Sequence, residues 1–337
     1  MNRRISRRTV MKGGAAAATA AVFSRLALAV PGYEPAVRGR PVPGASAFGA
    51  TSTAEEVTAG MDLSGMTALV TGCNSGIGYE TMRVLALRGA HVIGAARTQE
   101  KADKACASVE GNTTPLVVEL TDLPGIVTAA EQVDVPVDML ILNAGIMALP
   151  ERRVVNGVEM QFAVNHLGHF LLTSRLLDKV VAAKAGRVVV VSSGAHFWAP
   201  DEGIEFDNLD AAAGYEPYEA YGQSKLANNL FSRELARRLA DTSATSNALH
   251  PGVIQTNLQR YLPQEVRDEW ATRDIKYKSI AQGAATQCYV ATSPDLDGVT
   301  GYYFSDCNPA NGTDFLDDDE LAARLWAVSE ELVADYL

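Results

Sequence analysis

The 337-residue sequence lacks long apolar runs, clustered cysteines and an excess of positive charge. No window is apolar over the roughly 20 residues that a bilayer-spanning helix needs, so we expect no stable membrane span. The four cysteines lie far apart and form neither a CxxC pair nor a zinc-ligand pattern, which predicts free or core-packed thiols and no bound metal. The formal net charge of −11 argues against nucleic acid as a partner.

The basic N-terminus predicts an export signal over residues 1–29. Arginines and a lysine precede a short alanine-rich run over 13–23, and Ala27-Leu28-Ala29 offers a small-residue cleavage site. The stretch around Arg7 and Arg8 resembles a bacterial twin-arginine signal, which implies a periplasmic protein. A disordered basic tail on a cytoplasmic protein is the alternative interpretation.

Composition divides the remaining chain into a linker and one domain. Residues 30–60 are rich in Pro, Gly, Ala, Ser and Thr, which is typical of a linker. Residues 61–337 contain no internal repeat and no second boundary, so they predict a single domain. Removal of the predicted signal, which carries six cations and no acids, would lower the formal charge from −11 to −17.

Runs rich in β-formers alternate with helical patterns throughout this domain. The alternation predicts an α/β fold of Rossmann type, a single doubly wound domain whose parallel sheet has about seven strands and helices on both faces. Ligands of such sheets bind at the carboxyl ends of the strands. The predicted strands cover residues 67–71, 90–96, 116–120, 138–142, 187–191, 246–249 and 301–304.

A glycine-rich turn joins the first predicted strand to the following helix. Its sequence is Gly72-Cys73-Asn74-Ser75-Gly76-Ile77-Gly78, with the spacing Gly-x-x-x-Gly-x-Gly. Glycines let the backbone approach a pyrophosphate, and the helix N-terminus offers N–H groups and a positive dipole end. The pattern predicts a dinucleotide site, with a glycine turn that binds nothing as the alternative.

The second predicted strand ends at Arg97, where an acidic residue would bind the ribose hydroxyls of NAD. A cation suits the 2′-phosphate of NADP instead. The sequence therefore favours NADP over NAD, although an arginine that merely faces solvent remains the alternative.

Tyr221 and Lys225 lie four residues apart in a helical pattern, so their side chains share one helix face. A nearby ammonium stabilises phenolate and would lower the tyrosine pKa from its usual value of about 10. Such a phenol can exchange a proton with an alcohol or carbonyl oxygen. Alone, the pair is also common on solvated helix faces.

Taken together, these motifs resemble the classical short-chain dehydrogenase/reductase family over roughly residues 64–337. The resemblance rests on Thr71-Gly72-x-x-x-Gly76-Ile77-Gly78, Asn143-Ala144-Gly145, Asn165, Ser193 and Tyr221-x-x-x-Lys225. Five further stretches are similar to the retinol dehydrogenase and WW-domain oxidoreductase branch: 165–170, 224–228, His250-Pro251-Gly252, 304–307 and 323–326.

The resemblance implies a role for each motif residue. Tyr221 would be the general acid/base and Lys225 would lower its pKa and bind the nicotinamide ribose. Ser193 would bond the substrate oxygen, and Asn165 would hold the water of a proton relay. The implied cofactor contacts are Gly72, Asn74, Ser75, Gly76, Ile77, Gly78, Arg97, Asp122 at the adenine, Asn143, Ala144, Gly145, Tyr221, Lys225, Pro251, Gly252 and Thr256 at the carboxamide.

Some of these residues have simpler alternative roles. Ser193 could cap a turn, Asn165 could bridge a helix to a loop, and Asp122 could cap a helix. His166 and His169 lack a carboxylate or cysteine at a metal-ligand spacing, so we predict packing or hydrogen-bonding roles for them.

The implied activity is hydride transfer between NADP(H) and a small-molecule alcohol, aldehyde or ketone. A variable loop over 257–279 contains Leu258, Tyr261, Leu262, Trp270 and Tyr277, which favours a lipophilic or aromatic substrate. Two other functions stay open: an NADP-binding sensor or scaffold without turnover, and a reductase of a carbon–carbon double bond. The resemblance also leaves both a homodimer and a homotetramer open.

Overall fold

Ten strands form two sheets in the computed structural model, which describes residues 36–272 and 276–337. The export signal predicted over 1–29 lies outside the described residues. The strands are β1 Thr67–Thr71, β2 His91–Ala96, β3 Thr113–Val117, β4 Met139–Leu142, β5 Val154–Val155, β6 Val158–Glu159, β7 Arg187–Val191, β8 Thr245–His250, β9 Tyr303–Ser305 and β10 Asn308–Pro309.

The main sheet contains eight of these strands in the order β10-β9-β8-β7-β4-β1-β2-β3. The seven strands from β9 to β3 are parallel, and β10 at one edge runs antiparallel to β9. The predicted parallel sheet of about seven strands is therefore confirmed. Strand order reverses between β1 and β4, and open α/β sheets bind ligands at such a switch point.

Helices cover both faces of the main sheet. They are α1 Ala54–Val57, α2 Gly76–Leu87, α3 Gln99–Ala107, α4 Leu123–Glu131, α5 Met160–Phe162, α6 Gly168–Ala182, α7 Pro217–Arg238, α8 Gln264–Thr272, α9 Ile280–Thr292 and α10 Asp319–Leu332. Because strand side chains alternate between faces, Leu69 and Leu140 pack with α4, α6, α7 and α10. Val70 and Ile141 enter the opposite core, with α1, α2, α3 and α9.

The third strand, β3, spans Thr113–Val117 and therefore begins earlier in the chain than the predicted strand over 116–120. Its pairing with β2 begins at Val92 and ends at Ala96. Pro115 falls inside the strand, where a proline is tolerated because β3 forms the sheet edge and one side needs no backbone donor.

The second half of the predicted linker over 30–60 packs against the domain. Helix α1 begins with a capping box in which Thr53 and Glu56 bond each other's backbone N–H groups. Its apolar side chains are buried against α2 and α9, and Arg40 donates to the carbonyl of Leu239 at the end of α7 at 3.2 Å. The small residues of 30–60 are typical of a linker, but part of this segment packs into the core of the domain.

All four cysteines are buried and free, as the sequence predicts. Within 36–272 and 276–337, no helix is long and apolar enough to cross a bilayer.

Candidate active site

A cavity of about 520 Å³ opens at the carboxyl ends of β1, β4, β7 and β8. Parallel strands end at one edge of a sheet, so the polar residues that follow them meet there. Asn165 lies behind the cavity wall and Asp122 lies outside it. The predicted site residues that line the cavity are Gly72, Asn74, Ser75, Gly76, Ile77, Gly78, Arg97, Asn143, Ala144, Gly145, Ser193, Tyr221, Lys225, Pro251, Gly252 and Thr256.

The glycine-rich turn between β1 and α2 leaves room for a close-lying ligand. Gly72 and Gly76 have φ angles of +71° and +58°, a region that favours glycine. A Cβ at Gly78 would collide with the Asn143 side chain and with the backbone of Gly72. Ser75 occupies the N-cap of α2 without a side-chain cap bond, so the first N–H groups of the helix lack this partner. The turn therefore fits a pyrophosphate.

Asn143 joins the ends of β1 and β4 and presents one oxygen without a partner. Its backbone N–H donates to Thr71 Oγ1 at 2.9 Å, and its Nδ2 donates to Thr71 O at 2.8 Å. Its Oδ1 is buried and has no hydrogen-bond partner among the described atoms. A buried acceptor without a donor is costly, so a ligand hydroxyl fits this position. Together with the turn, Asn143 fits a dinucleotide.

Two cations stand near the end of β2. Arg97 is exposed and lines the cavity together with Lys101 of α3. In an NAD-binding sheet of this type, a carboxylate at this position would bind the ribose 2′-hydroxyl. Here the Arg97 guanidinium occupies the position instead.

Asp122, expected at the adenine, is exposed and lies outside the cavity. Its carboxylate accepts a bond from Gly125 N at 3.2 Å and caps α4. This is the helix-capping role that the sequence left open. Glu119 and Thr121 line this end of the cavity instead.

Tyr221 and Ser193 place two hydroxyl groups together in the cavity wall. Tyr221 lies on α7 and is 3% exposed, and the Ser193 side chain lies near enough to its hydroxyl to oppose in part the rise of its pKa. Ser193 follows β7, and its Oγ accepts a bond from Ala195 N at 3.1 Å at the start of the 3₁₀ turn Gly194–Trp198. This bond fixes the serine, so the hydroxyl pair can hold a single substrate oxygen.

Ser192 also lines the cavity, but its hydroxyl is already engaged. Its Oγ donates to Lys225 O at 2.7 Å and is buried between β7 and α7. Of the two serines, Ser193 is the one that affects the pKa of Tyr221, which supports the assignment of the substrate contact to the second position of the pair.

Lys225 lies one helical turn from Tyr221 and is equally buried. Its Nζ donates to Val191 O at 2.9 Å and lies 5.8 Å from the centroid of the Tyr221 ring. Burial lowers the pKa of Lys225 to about 7 and raises the pKa of Tyr221 above its ordinary value. The expected lowering of the phenol pKa by the ammonium is absent here, because burial penalises both charges.

Asn165 lies in a π-helical turn, Ala163–Leu167, between α5 and α6. Its Oδ1 accepts a bond from Ile146 N, and its Nδ2 donates to Ile146 O and to Ser224 Oγ, each at 2.9 Å. These bonds fix the chain behind Gly145, which is the bridging role that the sequence left open. Turns of this kind are frequent at functional sites.

The two histidines of this region support the site through hydrogen bonds. His169 donates from Nδ1 to Asn165 O at 3.1 Å, and its Nε2 lies 2.9 Å from Thr71 Oγ1. His166 Nε2 lies 2.7 Å from Ser329 Oγ. The predicted hydrogen-bonding role is confirmed, and the described chain holds no group of three side chains that could bind a metal.

The end of β8 closes the rim opposite the glycine-rich turn. Gly252 has a φ of +101°, and Lys278 packs where its side chain would lie. Thr256 lies close to Gly76, with its Cγ2 3.4 Å from the position of a Cβ there. Pro251, Gly252 and Thr256 thus line the part of the cavity that lies after β8.

Apolar side chains pack around Tyr221. Of the predicted loop residues, Leu258 and Tyr261 line the cavity, and Leu262 packs in the cluster around Tyr221. Tyr277 lines a separate cavity, and the side chain of Trp270 lies outside the described residues. The other members of the cluster are Met147, Ala148, Ala195 and Trp198.

Sequence reasoning missed Met147 and Trp198 as side chains that pack in the cluster around Tyr221. Met147 stands two residues after Gly145, and Trp198 ends the 3₁₀ turn that follows Ser193. Their nearness to two motifs was the available signal, but only the fold shows that both side chains reach Tyr221.

Comparison with known proteins agrees with this geometry. The model of the short chain dehydrogenase family matches residues 66–204. The chain is 43% identical to short-chain dehydrogenase TIC 32 B, chloroplastic, of Brassica napus, over 86% of this chain and 95% of the relative. It is 38% identical to retinol dehydrogenase 14 of Mus musculus, over 80% of this chain and 86% of the relative. For the human WW domain-containing oxidoreductase, the identity is 36% over 86% of this chain and 73% of the relative.

A solved structure shares the fold. It is a Beutenbergia cavernae protein described as a candidate NAD(P)-dependent gluconate 5-dehydrogenase with bound NADP at low occupancy. The TM-score is 0.56 and the identity 26%, over 72% of this chain and 95% of that chain. The chain therefore belongs to the short-chain dehydrogenase family and is an NAD(P)-dependent dehydrogenase or reductase. Within that family it is similar to the retinol dehydrogenase-like branch.

Proposed function

We propose that the protein transfers a hydride between NADP(H) and the alcohol/carbonyl pair of a lipophilic or aromatic substrate. The observation that carries this proposal is that Tyr221, Ser193 and Lys225 line one cavity together with apolar side chains such as Leu258. When bound, the nicotinamide supplies or accepts the hydride. The protein must then orient one carbon and manage one proton on oxygen.

Tyr221 manages that proton as general acid and base. In the reducing direction its hydroxyl protonates the substrate oxygen, and in the oxidising direction it accepts the alcohol proton. Ser193 donates a hydrogen bond to the same oxygen and shares its developing charge. Asn143, the glycine-rich turn and Lys225 would hold the cofactor.

The choice of NADP rests on the charge at the end of β2. Arg97 and Lys101 supply two cations there, and Arg97 stands where a carboxylate would favour NAD. An arginine can bind a phosphate with two parallel hydrogen bonds, which favours the 2′-phosphate of NADP.

The choice of substrate class rests on the wall around Tyr221. Ile146, Leu149 and Leu258 line the cavity that Tyr221 also lines, and Leu258 packs against the apolar cluster around Tyr221. Such a wall favours apolar or aromatic groups next to the reacting carbon.

Consumption of NADPH and NADH over a panel of aromatic and long-chain aldehydes and ketones tests the proposal. We expect turnover with NADPH on several apolar carbonyls, and a loss of 10²–10⁴-fold in kcat for Tyr221→Phe with cofactor affinity retained. Normal turnover by this variant would contradict the role of Tyr221. Tight NADPH binding without turnover would favour a sensor, and products reduced at a carbon–carbon bond would favour the double-bond reductase.

We also propose export through the twin-arginine route, because Arg7 and Arg8 precede an apolar run without acids. Fractionation of a bacterial host should place the protein in the periplasm, and Arg7→Lys with Arg8→Lys should retain it in the cytoplasm. An unchanged distribution in the double variant would contradict this proposal.

A further inference from the structure

Two buried histidines hold the peptide group between Ser193 and Gly194. His196 Nδ1 lies 2.7 Å from Ser193 O. The next N–H of the chain, that of Gly194, donates to His250 Nδ1 at 3.0 Å. Both imidazole rings are at most 5% exposed. Because this carbonyl and this N–H belong to one planar peptide group, the two bonds together fix the rotation of its plane.

The two bonds assign opposite tautomers to the rings. A carbonyl oxygen only accepts, so His196 carries its proton on Nδ1. Its Nε2 is then an acceptor, and Thr313 N donates to it at 3.4 Å. Because Gly194 N–H is a donor, His250 Nδ1 carries no proton and the neutral ring is protonated at Nε2. Burial lowers the pKa to about 4 for His196 and about 3 for His250, so both rings are neutral at neutral pH.

The fold fixes both rings in place. His250 is the last residue of β8, which pairs with β7, and Ser193 follows the end of β7. His196 lies in the 3₁₀ turn Gly194–Trp198 that Ser193 caps, and its backbone N–H also donates to Ser193 O at 3.2 Å. The edge of its ring meets the Tyr303 ring, with 5.1 Å between the centroids. The histidines therefore reach one peptide group from two separate elements.

The orientation of this peptide group determines where the Ser193 hydroxyl points. Ser193 Oγ accepts a bond from Ala195 N at 3.1 Å, so its own proton remains available for another acceptor. Rotation of the peptide between Ser193 and Gly194 would move Ala195 N away from Oγ. Loss of the His250 acceptor would also leave the Gly194 N–H buried without this partner, which is costly and favours such a rotation.

We propose that His250 and His196 are positioning residues for Ser193, and that they hold its hydroxyl where it donates to the substrate oxygen. The inference rests on the role of Ser193 in the hydride transfer proposed above. Both histidines lie outside the set of residues that line the cavity. They therefore act through Ser193 and not by contact with substrate or cofactor.

A double-mutant cycle between His250 and Ser193 tests the inference. The quantity measured is kcat/KM with NADPH, for the aromatic or long-chain carbonyl that the wild-type protein reduces fastest. His250→Phe keeps a planar ring but removes the acceptor, and we expect it to lower kcat/KM roughly tenfold. In the Ser193→Ala background the same change should cost less than about twofold, because the positioned hydroxyl is gone. Equal losses in the two backgrounds would overturn the inference.

A conservative variant and a control on the same strand separate positioning from general loosening. His250→Asn should recover most of the loss, because Asn Oδ1 can replace Nδ1 as the acceptor. Asn247→Leu is the control, since Asn247 on β8 accepts from Tyr302 N at 3.0 Å and donates to Val299 O at 2.8 Å. It should lower the urea midpoint and leave kcat/KM within about twofold of the wild-type value. A control loss as large as that of His250→Phe would overturn the inference.

The affinity for NADPH gives a further check, because Pro251 and Gly252 follow His250 and line the cavity. We expect the dissociation constant of NADPH to change less than about twofold in His250→Phe. A rise that matches the loss in kcat/KM would assign His250 to cofactor binding and overturn the inference.

NMR of protein labelled with the heavy nitrogen isotope in histidine identifies the tautomers without any turnover. His196 should have a protonated Nδ1 and His250 an unprotonated Nδ1, with signals assigned by their loss in His196→Gln and His250→Asn. A His250 ring with its proton on Nδ1 could not accept from Gly194 N. That result would overturn the inference even where His250→Phe fails to fold.

The outcomes also separate this inference from the proposed function. A wild-type protein that reduces no carbonyl, or a Ser193→Ala variant with wild-type kcat/KM, contradicts the proposed function, and the inference fails with it. Wild-type turnover that depends on Ser193 but is unchanged in His250→Phe contradicts the inference alone.

Discussion

Four buried histidines should make the folded protein sensitive to mild acid. His166, His169, His196 and His250 are each at most 5% exposed. Burial lowers their pKa values from 6.5 to about 3 for His166 and His250, and to about 4 for His169 and His196. At pH values between these folded-state pKa values and 6.5, the unfolded chain binds more protons than the folded chain. The free energy of unfolding must therefore fall as the pH falls through 6.5.

The expected loss between pH 7.5 and 5.0 is about 2 kcal/mol for each histidine, or about 8 kcal/mol for the four. Glu159 acts in the opposite direction. Burial raises its pKa from 4.5 to about 7, so the folded state takes up a proton over this range and gains about 2 kcal/mol. The histidines and Glu159 together leave a loss of about 6 kcal/mol, which is comparable with the whole stability of a typical domain.

Denaturant unfolding at pH 7.5 and at pH 5.0, followed by tryptophan fluorescence, measures this loss. His196→Gln should reduce it by about 2 kcal/mol, because the amide remains neutral at both pH values. His91→Asn is the control, since His91 lies at the start of β2 and bonds Thr114 Oγ1 at the sheet edge at 2.8 Å. A wild-type loss below about 2 kcal/mol would refute the argument from burial.

Four substitutions test the candidate site. Arg97→Asp should shift the ratio of NADPH to NADH dissociation constants towards NADH, and an unchanged ratio would show that Arg97 does not contact the phosphate. Gly78→Ala should cost about 1–3 kcal/mol in urea unfolding and weaken NADPH binding at least roughly tenfold, because its Cβ meets Asn143; wild-type affinity would contradict the close approach. Ser193→Ala should lower kcat/KM roughly 100-fold with NADPH affinity unchanged, whereas Ser192→Ala should lower it much less, since its hydroxyl bonds a main-chain carbonyl. Equal losses would contradict this division between the serines.

The cavity could be predicted from the sequence because its parts follow strands. Gly72, Asn143, Ser193 and Pro251 stand immediately or shortly after β1, β4, β7 and β8. A parallel sheet brings these carboxyl ends to one edge, so residues about 180 positions apart in the chain meet without any further information.

Residues placed by loops could not be predicted in the same way. Arg153 reaches the cavity through the β5–β6 hairpin and Arg260 through a 3₁₀ turn, and neither follows a strand of the main sheet. Asp122 does follow β3 closely, yet the turn after that strand directs it to the start of α4. Loop geometry depends on tertiary contacts that periodicity does not encode.

The electrostatics of Tyr221 and Lys225 also depend on burial, which the four-residue spacing does not report. The spacing predicts an ammonium that lowers the phenol pKa, but a lysine with a pKa of about 7 is mostly neutral above neutral pH. A neutral amine cannot stabilise phenolate. Among the described residues, the Lys225 Nζ donates to the carbonyl of Val191 alone, so it retains donors for further acceptors. Acceptors on a bound ribose would favour the ammonium, and the restored charge would then favour phenolate at Tyr221. Proton transfer at this site is therefore set by ligand and protein together, and the pH dependence of cofactor binding should differ between the wild-type protein and Lys225→Met.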